Sequence, residues 1–506
     1  MSHPRTFHIR TYGCQMNVHD SEKIENLLFH AGLRPAPGED DADVLIINTC
    51  SIRDKAENQL YSDLGKLRGW RADRPGRALG VGGCVAQQVG DGLLARFTHL
   101  DFVFGTHNLR HVPAMVEAAT HGERAADTAE TSDLDRFDLP AAHTERAPRA
   151  GGKAFVTIME GCDMFCSFCI VPTTRGREIS RPADAILAEA RQLAEAGIRE
   201  ITLLGQTVNA YGRHDVRRGK AAEKGTMPFA ELLRALDAVP GLERIRYTSP
   251  HPLFFDDDLV TAHGELERLC PHIHLPVQSG SNRVLDAMRR RYTRERYLEI
   301  VAALKAARPD LTLSTDLIVG FPSETEAELE ETLDLVRQAG FVDSFSFKYS
   351  PRPGTQAAGM EGSVPPEEAQ RRLMALQSLQ REQTLAYHRS RVGDATTILV
   401  EGESRYGAGQ VCGRDPHHRV VNVSPPEGMI FTAGVDPGTL LEVEIVEATP
   451  HSLIGSPPAV AGAARTPGKT AEIGASAVKW APRPADEDRW RGSRPEAPSD
   501  PLRVIS

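Results

Sequence analysis

Glu160-Gly-Cys-Asp-Met-Phe-Cys-Ser-Phe-Cys169 sets three thiols in a Cys-x3-Cys-x2-Cys spacing, directly after an apolar run. Three thiolates can hold three corners of a cubane iron–sulfur cluster and leave one iron without a protein ligand. An open iron can bind a small molecule and pass it an electron, so the stretch reads as a reaction centre. The alternative is zinc, which usually brings paired Cys-x2-Cys knuckles and a fourth ligand. No fourth ligand lies close to Cys162, Cys166 and Cys169 in the sequence.

The surroundings of this stretch set the fold. Strand-like runs fall at 154–160, 200–205, 243–249, 272–278, 312–319 and 344–350, with helical patterns between them at 184–196, 229–238 and 324–338. Six strand–helix units predict a partial (β/α)6 barrel, with its chemistry at the C-terminal ends of the strands.

Upstream, Phe7–Tyr12, Val44–Asn48, Ala78–Gly82 and Asp101–Phe104 alternate with helices at 20–31 and 55–67. That predicts a parallel α/β layer. Cys14, Cys50 and Cys84 each follow a strand of this layer, about one βα unit apart. In a parallel sheet they share the edge where ligands bind, and together they could form a second three-cysteine site with an open iron. Taken singly, each reads rather as a small buried hydrophobe; it is the three equivalent strand-end positions that favour a site. Cys270 and Cys412 stand alone and read as packed thiols.

Downstream, 365–391 is a charged helix. Thr396–Val400, Arg419–Val423 and Leu440–Val446 are short strands between Gly-rich turns, the pattern of a small all-β barrel. The chain is therefore α/β and multidomain: 5–120 an N-terminal domain, 121–150 a linker, 151–380 the partial barrel, 381–456 the small barrel, and 457–506 a Pro-rich disordered tail.

A length of 506 residues calls for two to four domains. A net charge of −10 excludes a protein that is basic overall, so any nucleic-acid contact must be local. Met1–Arg10 lacks a signal-type apolar core, and no apolar run approaches the roughly 20 residues that cross a bilayer. The expected setting is cytoplasmic, without membrane contact, and the eight cysteines are expected as reduced thiols or ligands.

At this point the residues match a family. The spacing of Cys162, Cys166 and Cys169 after a barrel's first strand resembles the radical S-adenosylmethionine superfamily. More narrowly, the chain is similar to the methylthiotransferases of the tRNA-modifying MiaB type. The runs that carry the likeness are Thr11-Tyr-Gly-Cys-Gln-Met-Asn17, Asn48-Thr-Cys50, Met159-Glu-Gly-Cys162, Leu204-Gly-Gln206, His274–Asn282, Ser314–Pro322 and Tyr349–Gly354. They span about residues 5–455 and leave the 121–150 stretch and the tail unexplained.

The resemblance implies a methylthiotransferase N-terminal domain, a radical domain and a C-terminal RNA-binding barrel of the TRAM type. It implies two 4Fe-4S clusters, held by Cys162, Cys166 and Cys169 and by Cys14, Cys50 and Cys84. It also implies S-adenosylmethionine as the source of both a 5′-deoxyadenosyl radical and a methyl group. The expected reaction places a methylthio group on carbon 2 of N6-isopentenyl (dimethylallyl) adenosine beside the tRNA anticodon. Gln15-Met16-Asn17 favours this subgroup over relatives acting on threonylcarbamoyladenosine or a ribosomal protein. A non-catalytic iron–sulfur or RNA-binding protein would not need the six-unit barrel. A monomer is expected; neither the sulfur donor nor the electron donor is identified.

Five further residues are candidates for contact with cofactor or substrate: Gly205 and Gln206 after the second barrel strand, Gln278 and Ser279 after the fourth, and Asp316 on the fifth. Asp316 sits in an apolar strand, where a carboxylate needs a partner. Arg283, Arg289–Arg291, Arg294 and Arg296 form a local basic cluster. Such a run is usually a solvated helix face, and here it could also meet RNA phosphates. His417 and His418 read as surface loop residues.

Overall fold

The protein's structure, a computed structural model, describes residues 6–51, 54–131, 134–137, 151–407, 409–425, 429–433, 435–457 and 479–482. The N-terminal layer is a parallel sheet ordered β2-β1-β3-β4-β5-β6. Its strands are β1 (Thr6–Thr11), β2 (Arg34–Pro35), β3 (Val44–Thr49), β4 (Ala78–Gly83), β5 (Phe102–Phe104) and β6 (Ala125–Asp127). The central strands β3 and β4 are buried throughout, as parallel strands covered on both faces must be. Val44 and Ile46 turn toward the helices Gln15–His30 and Val112–Thr120. Leu45 and Ile47 turn toward the helix Asp54–Asp73. The 121–150 stretch, expected as a linker, contributes β6 as the sheet's edge strand. Its remainder at 132–133 and 138–150 lies outside the described residues.

The second layer holds all six expected barrel strands. They are β7 (Lys153–Thr157, extended by the short β8, Met159–Glu160, which pairs with β9, Ile179–Ser180), β10 (Glu200–Leu204), β11 (Arg244–Tyr247), β12 (His272–His274), β13 (Thr312–Val319) and β14 (Asp343–Lys348). They form two parallel sheets, β11-β10-β7 and β12-β13-β14, joined through a bridge between Ile245 and Leu269. Helices such as Ala183–Glu195, Arg294–Ala307 and Glu326–Ala339 pack outside, and their apolar faces share one core with the strands. The helix Glu326–Ala339 starts at a capping box in which Thr325 and Glu328 satisfy each other's backbone N–H groups. The helix Pro366–Ser390 closes the layer, burying Leu376 in that core.

The third unit is a closed five-stranded barrel ordered β15-β16-β17-β20-β19. Its strands are β15 (Ala395–Glu403), β16 (Val411–Arg414), β17 (Val420–Val423), β19 (Leu440–Ala448) and β20 (Leu453–Ser456), with β18 (Met429–Ala433) outside the ring. Ile398, Val400, Val421, Val443, Ile445 and Leu453 fill it. From the stretch expected as a tail, β21 (Lys479–Pro482) pairs antiparallel with β18; apart from Pro457, the rest of that stretch lies outside the described residues.

Arginines of β11 seat this barrel against the base of the half-barrel. Arg244 donates to Arg414 O at 2.9 Å and Thr397 O at 2.6 Å. Arg246 donates to Pro416 O at 3.0 Å and Asp415 O at 2.9 Å. His418, expected on the surface, instead stacks on His272 with ring centroids 5.7 Å apart, and His417 reaches Pro271 O at 3.3 Å.

Candidate active site

The loop that carries Cys162, Cys166 and Cys169 leaves the C-terminal end of the first barrel strand and is fixed at several points. Gln206 Oε1 accepts from Gly161 N at 2.6 Å, which sets the start of the loop. Gly205 lies under Met159, whose Cγ would stand 2.5 Å from any Cβ added there. Ser167 N and Oγ donate to Met288 O and Ala287 O at 3.1 and 2.7 Å, which ties the loop to the end of the helix Asn282–Ala287. Met164, Phe168, Val171 and Phe254 form an apolar wall around the thiols.

Two polar groups reach the sulfurs. Thr207 Oγ1 lies 3.1 Å from Cys162 Sγ. The buried Arg290 donates from Nη1 to Cys166 Sγ at 3.4 Å and from Nη2 to Pro276 O at 3.2 Å. Burial pushes the Cys162 thiol up, and Thr207 opposes it. Burial, reinforced by Cys166, pushes Cys169 up to about 12. A protonated thiol in an apolar wall is a poor ligand until a cation displaces the proton.

The other three cysteines meet at one edge of the N-terminal sheet, after β1, β3 and at the end of β4. The left-handed Gly13, with φ of 131°, lets the first loop lie against Cys50, whose Cβ would be 2.4 Å from an added Cβ. Asn17 binds two loops at once: Oδ1 accepts from Cys14 N and Sγ at 3.3 Å, and Nδ2 donates to Thr49 O at 2.9 Å. Asn48 adds bonds to Asn17 O and Ser21 Oγ at 2.8 and 2.9 Å. The Cys50 thiol, hydrogen-bonded to that of Cys14, holds Cys14 down at about 6 against the upward push of burial, with help from Arg175. Cys84 is pushed up by burial, while Arg175 pulls it down.

Arg175 belongs to the helix Val171–Arg175 that follows Cys169, yet it reaches into the other domain. Its Nη2 donates to Asp20 Oδ2 at 2.5 Å. Nearby, Thr106 Oγ1 donates to Thr174 O at 2.6 Å and Lys23 Nζ lies 3.4 Å from Glu160 Oε1. One interface therefore joins the helix that follows Cys169 to the domain that carries Cys14, Cys50 and Cys84. Arg175 carries this interface, as Arg290 and Thr207 carry the radical-site thiols; the sequence reading missed Arg175 and Thr207 and named Arg290 only as part of the basic cluster.

The remaining candidates divide. Asp316 finds the partner it needs in His274, Oδ1 to Nε2 at 3.2 Å, and faces the barrel interior with it. Gln278 is left-handed (φ 74°), and its backbone bonds Asp316 O and Ile318 N across to β13. Ser279 is fully buried away from the thiols, with Oγ 3.4 Å from Thr332 Oγ1 and 3.2 Å from Ser281 N. The basic cluster is not one solvated face. Arg290 is buried at Cys166, Arg283 pairs with Glu328, Arg294 with Asp334 and Arg296 with Glu299. Arg289 and Arg291 remain exposed. Cys270 is buried and Cys412 partly exposed, as packed thiols.

A cavity of about 330 Å³ opens beside Met164, with Arg213, Arg217 and Arg291 on its wall. Among the described residues no helix is long and apolar enough to cross a membrane.

Comparison with known proteins places these features. Residues 156–336 match the Radical SAM superfamily, and residues 6–105 match Uncharacterized protein family UPF0004. A tRNA-2-methylthio-N(6)-dimethylallyladenosine synthase of Geotalea uraniireducens is 47% identical over 90% of this chain and 99% of its own length. One from Geobacter metallireducens is 46% identical over 90% and 99%. Among solved structures, the radical S-adenosylmethionine methyltransferase TsrM of Kitasatospora setae superposes with a TM-score of 0.52 at 12% identity, over 70% of this chain and 77% of that one; the likeness is one of fold. Nearly half its residues are shared with these synthases over nine-tenths of its length, so the chain belongs to the tRNA-2-methylthio-N(6)-dimethylallyladenosine synthase family of radical S-adenosylmethionine enzymes.

Proposed function

We propose that the chain methylthiolates carbon 2 of N6-dimethylallyladenosine next to the anticodon of tRNA, using two 4Fe-4S clusters and S-adenosylmethionine. The observation that carries this reading is a second group of three thiols, after β1, β3 and β4, reached by Arg175 from the helix that follows Cys169. A single-cluster enzyme has no use for the second site. The resemblance between the chain and its relatives over both domains supports the same substrate.

The residues fit the clusters. Each site offers three thiols after the ends of parallel strands, and in a cubane each thiolate takes its own iron. Cys162, Cys166 and Cys169 would hold one cluster, and Cys14, Cys50 and Cys84 the other. When bound, these cofactors supply one-electron cleavage of a sulfonium and delivery of sulfur to an unactivated C–H carbon, chemistry beyond any side chain.

The chain supplies placement. Gln206 fixes the loop through Gly161. Thr207 and Arg290 orient and charge-balance two sulfurs of the radical site. The apolar wall of Met164, Phe168 and Phe254 would keep water from the cluster-binding thiols and whatever is bound beside them. Asp316 and His274 present a polar pair inside the barrel where a nucleoside can be gripped. Arg213, Arg217 and Arg291 offer phosphate contacts near the opening, which lets an acidic protein bind RNA locally.

The decisive experiment is nucleoside mass spectrometry of tRNA from a deletion strain, with and without the gene returned. The 2-methylthio-N6-dimethylallyl nucleoside disappears and is restored by the gene; its persistence in the deletion strain refutes the substrate. After anaerobic reconstitution we expect about eight irons per chain, four for each cluster. The triple change Cys14→Ala, Cys50→Ala, Cys84→Ala leaves about half of that iron; unchanged iron removes the second cluster.

A further inference from the structure

Arg175 and Asp20 make an ion pair in which the two side chains are only 3% and 2% exposed. The arginine crosses from the radical domain, and the aspartate sits on the helix Gln15–His30 that opens at Cys14. Taking both charges out of water costs several kcal/mol per ion, so a pair kept only as a tether should have every donor and acceptor engaged. This pair does not. Arg175 Nη1 and Asp20 Oδ1 are both enclosed and without a hydrogen-bond partner. Leaving such groups unmade is costly.

The helix Val171–Arg175 packs on the helix Cys84–Val89, which sets Arg175 beside the N-terminal thiols. Arg175 is within hydrogen-bonding reach of Cys84, and its charge acts on Cys14 as well. A guanidinium presents five N–H donors in a rigid fork and keeps its charge at any accessible pH. Asn17 is already engaged with Cys14 and Thr49, and Asn48 with Asn17 and Ser21. Arg175 is thus the cation reaching this thiol site, and its Nη1 is a donor that no side chain fills. An anion held among Cys14, Cys50 and Cys84 would fill it. Given the function proposed above, on which this inference rests, the anion that must pass through the site is a sulfur ligand.

We infer that Arg175 is the positioning residue for an anionic sulfur ligand, hydrosulfide or methanethiolate, held at the Cys14–Cys50–Cys84 centre. Because the guanidinium belongs to the other domain, the sulfur is gripped only when the two domains are docked. The sulfur would then be presented toward the radical site that carries Arg175.

The test uses the full chain with Cys162→Ala, Cys166→Ala and Cys169→Ala, reconstituted anaerobically, so that only the N-terminal centre holds iron. Sodium sulfide and sodium methanethiolate are titrated separately, and the electron paramagnetic resonance spectrum of the reduced centre is followed. Arg175→Gln keeps a polar N–H donor on a shorter side chain but removes the charge and the fork. It should retain about four irons and raise the midpoint for both probes by about tenfold or more, the loss of one charge-assisted hydrogen bond. An unchanged midpoint at full iron content overturns the inference and leaves Arg175 a tether. Should Arg175→Gln fail to take up iron, Arg175→Lys is measured in its place. Its point charge lacks the fork, so a raised midpoint supports the inference and an equal one overturns it. If the parent protein binds no iron at the N-terminal centre, the functional reading itself fails. If the parent centre fills with iron but gives no response to either probe, only the sulfur-ligand inference fails.

Discussion

At the scale of single residues, two side chains decide how the radical site behaves. Arg290 is a buried cation donating to Cys166 Sγ, and Thr207 lies against Cys162 Sγ. The reduction potential of an iron–sulfur centre follows net charge and hydrogen bonds to its sulfurs. Arg290→Gln removes a positive charge and should shift the potential negative by on the order of 60 mV, the one-electron equivalent of a tenfold change in equilibrium. Thr207→Val removes a neutral donor and should shift it less, in the same direction. A redox titration followed by electron paramagnetic resonance reads both; an unmoved potential in Arg290→Gln removes its role. Neither residue was legible in the sequence. Arg290 hid in a triple arginine that reads as a solvated face. The structure turns the middle residue inward because Arg289 and Arg291 on either side are left-handed, with φ of 58° and 60°. Cys166 is 124 residues away in the chain, a distance no local pattern spans. Arg175 was hidden in the same way, since Asp20 lies 155 residues distant.

At the scale of elements, strands with strong alternation or long apolar runs were readable, and weak ones were not. Val44–Thr49 and Thr312–Val319 carry β-branched residues and are found where expected. Ala125–Asp127 has none, because an edge strand needs little apolar surface, and it read as a linker. The six cysteines were legible because their spacing and strand-end positions are local facts; that they converge is a matter of topology. The polar pair between β12 and β13 gives an element-level prediction. Burial pushes the His274 imidazole down, yet Asp316 leaves it above its ordinary value. A raised folded-state value means that the folded chain holds the proton more tightly than the unfolded chain. The pair's stabilisation is therefore complete below the ordinary histidine value of about 6.5 and is lost as pH rises through the raised one. Thermal unfolding between about pH 5.5 and 8.5 should show this decline, and Asp316→Asn should flatten it. An equal slope in the variant refutes the assignment.

At the scale of the whole molecule, the small barrel is held by the half-barrel's own floor. Glu200 at the start of β10 is buried between Arg246 and Arg244, at 3.1 and 3.7 Å. Burial pushes the Glu200 carboxyl up, but Arg246 and then Arg244 hold it below the usual carboxylate range. The same two arginines donate four hydrogen bonds to backbone carbonyls of the small barrel. Glu200 thus aims the arginines, and the arginines seat the domain on which RNA contact is expected. The second attachment is softer: Lys153 meets Glu401 at 2.8 Å, both partly exposed, and the buried Arg419 meets the partly exposed Asp343 at 3.2 Å. Pairs open to solvent on one or both sides contribute about 1 kcal/mol. Removing Arg246 alone leaves Glu200 with one distant partner and strips two carbonyls, a loss of about 3–5 kcal/mol as for other broken buried pairs. Arg246→Met should therefore release the small barrel, seen as protease cleavage between the helix Pro366–Ser390 and β15, while the half-barrel core stays folded. Adding Glu200→Gln removes the stranded charge and should recover most of the lost stability without restoring the two carbonyl bonds. Stability then returns but the cleavage persists. If instead the double variant regains full protection, the floor arginines do not seat the domain and the surface pairs do.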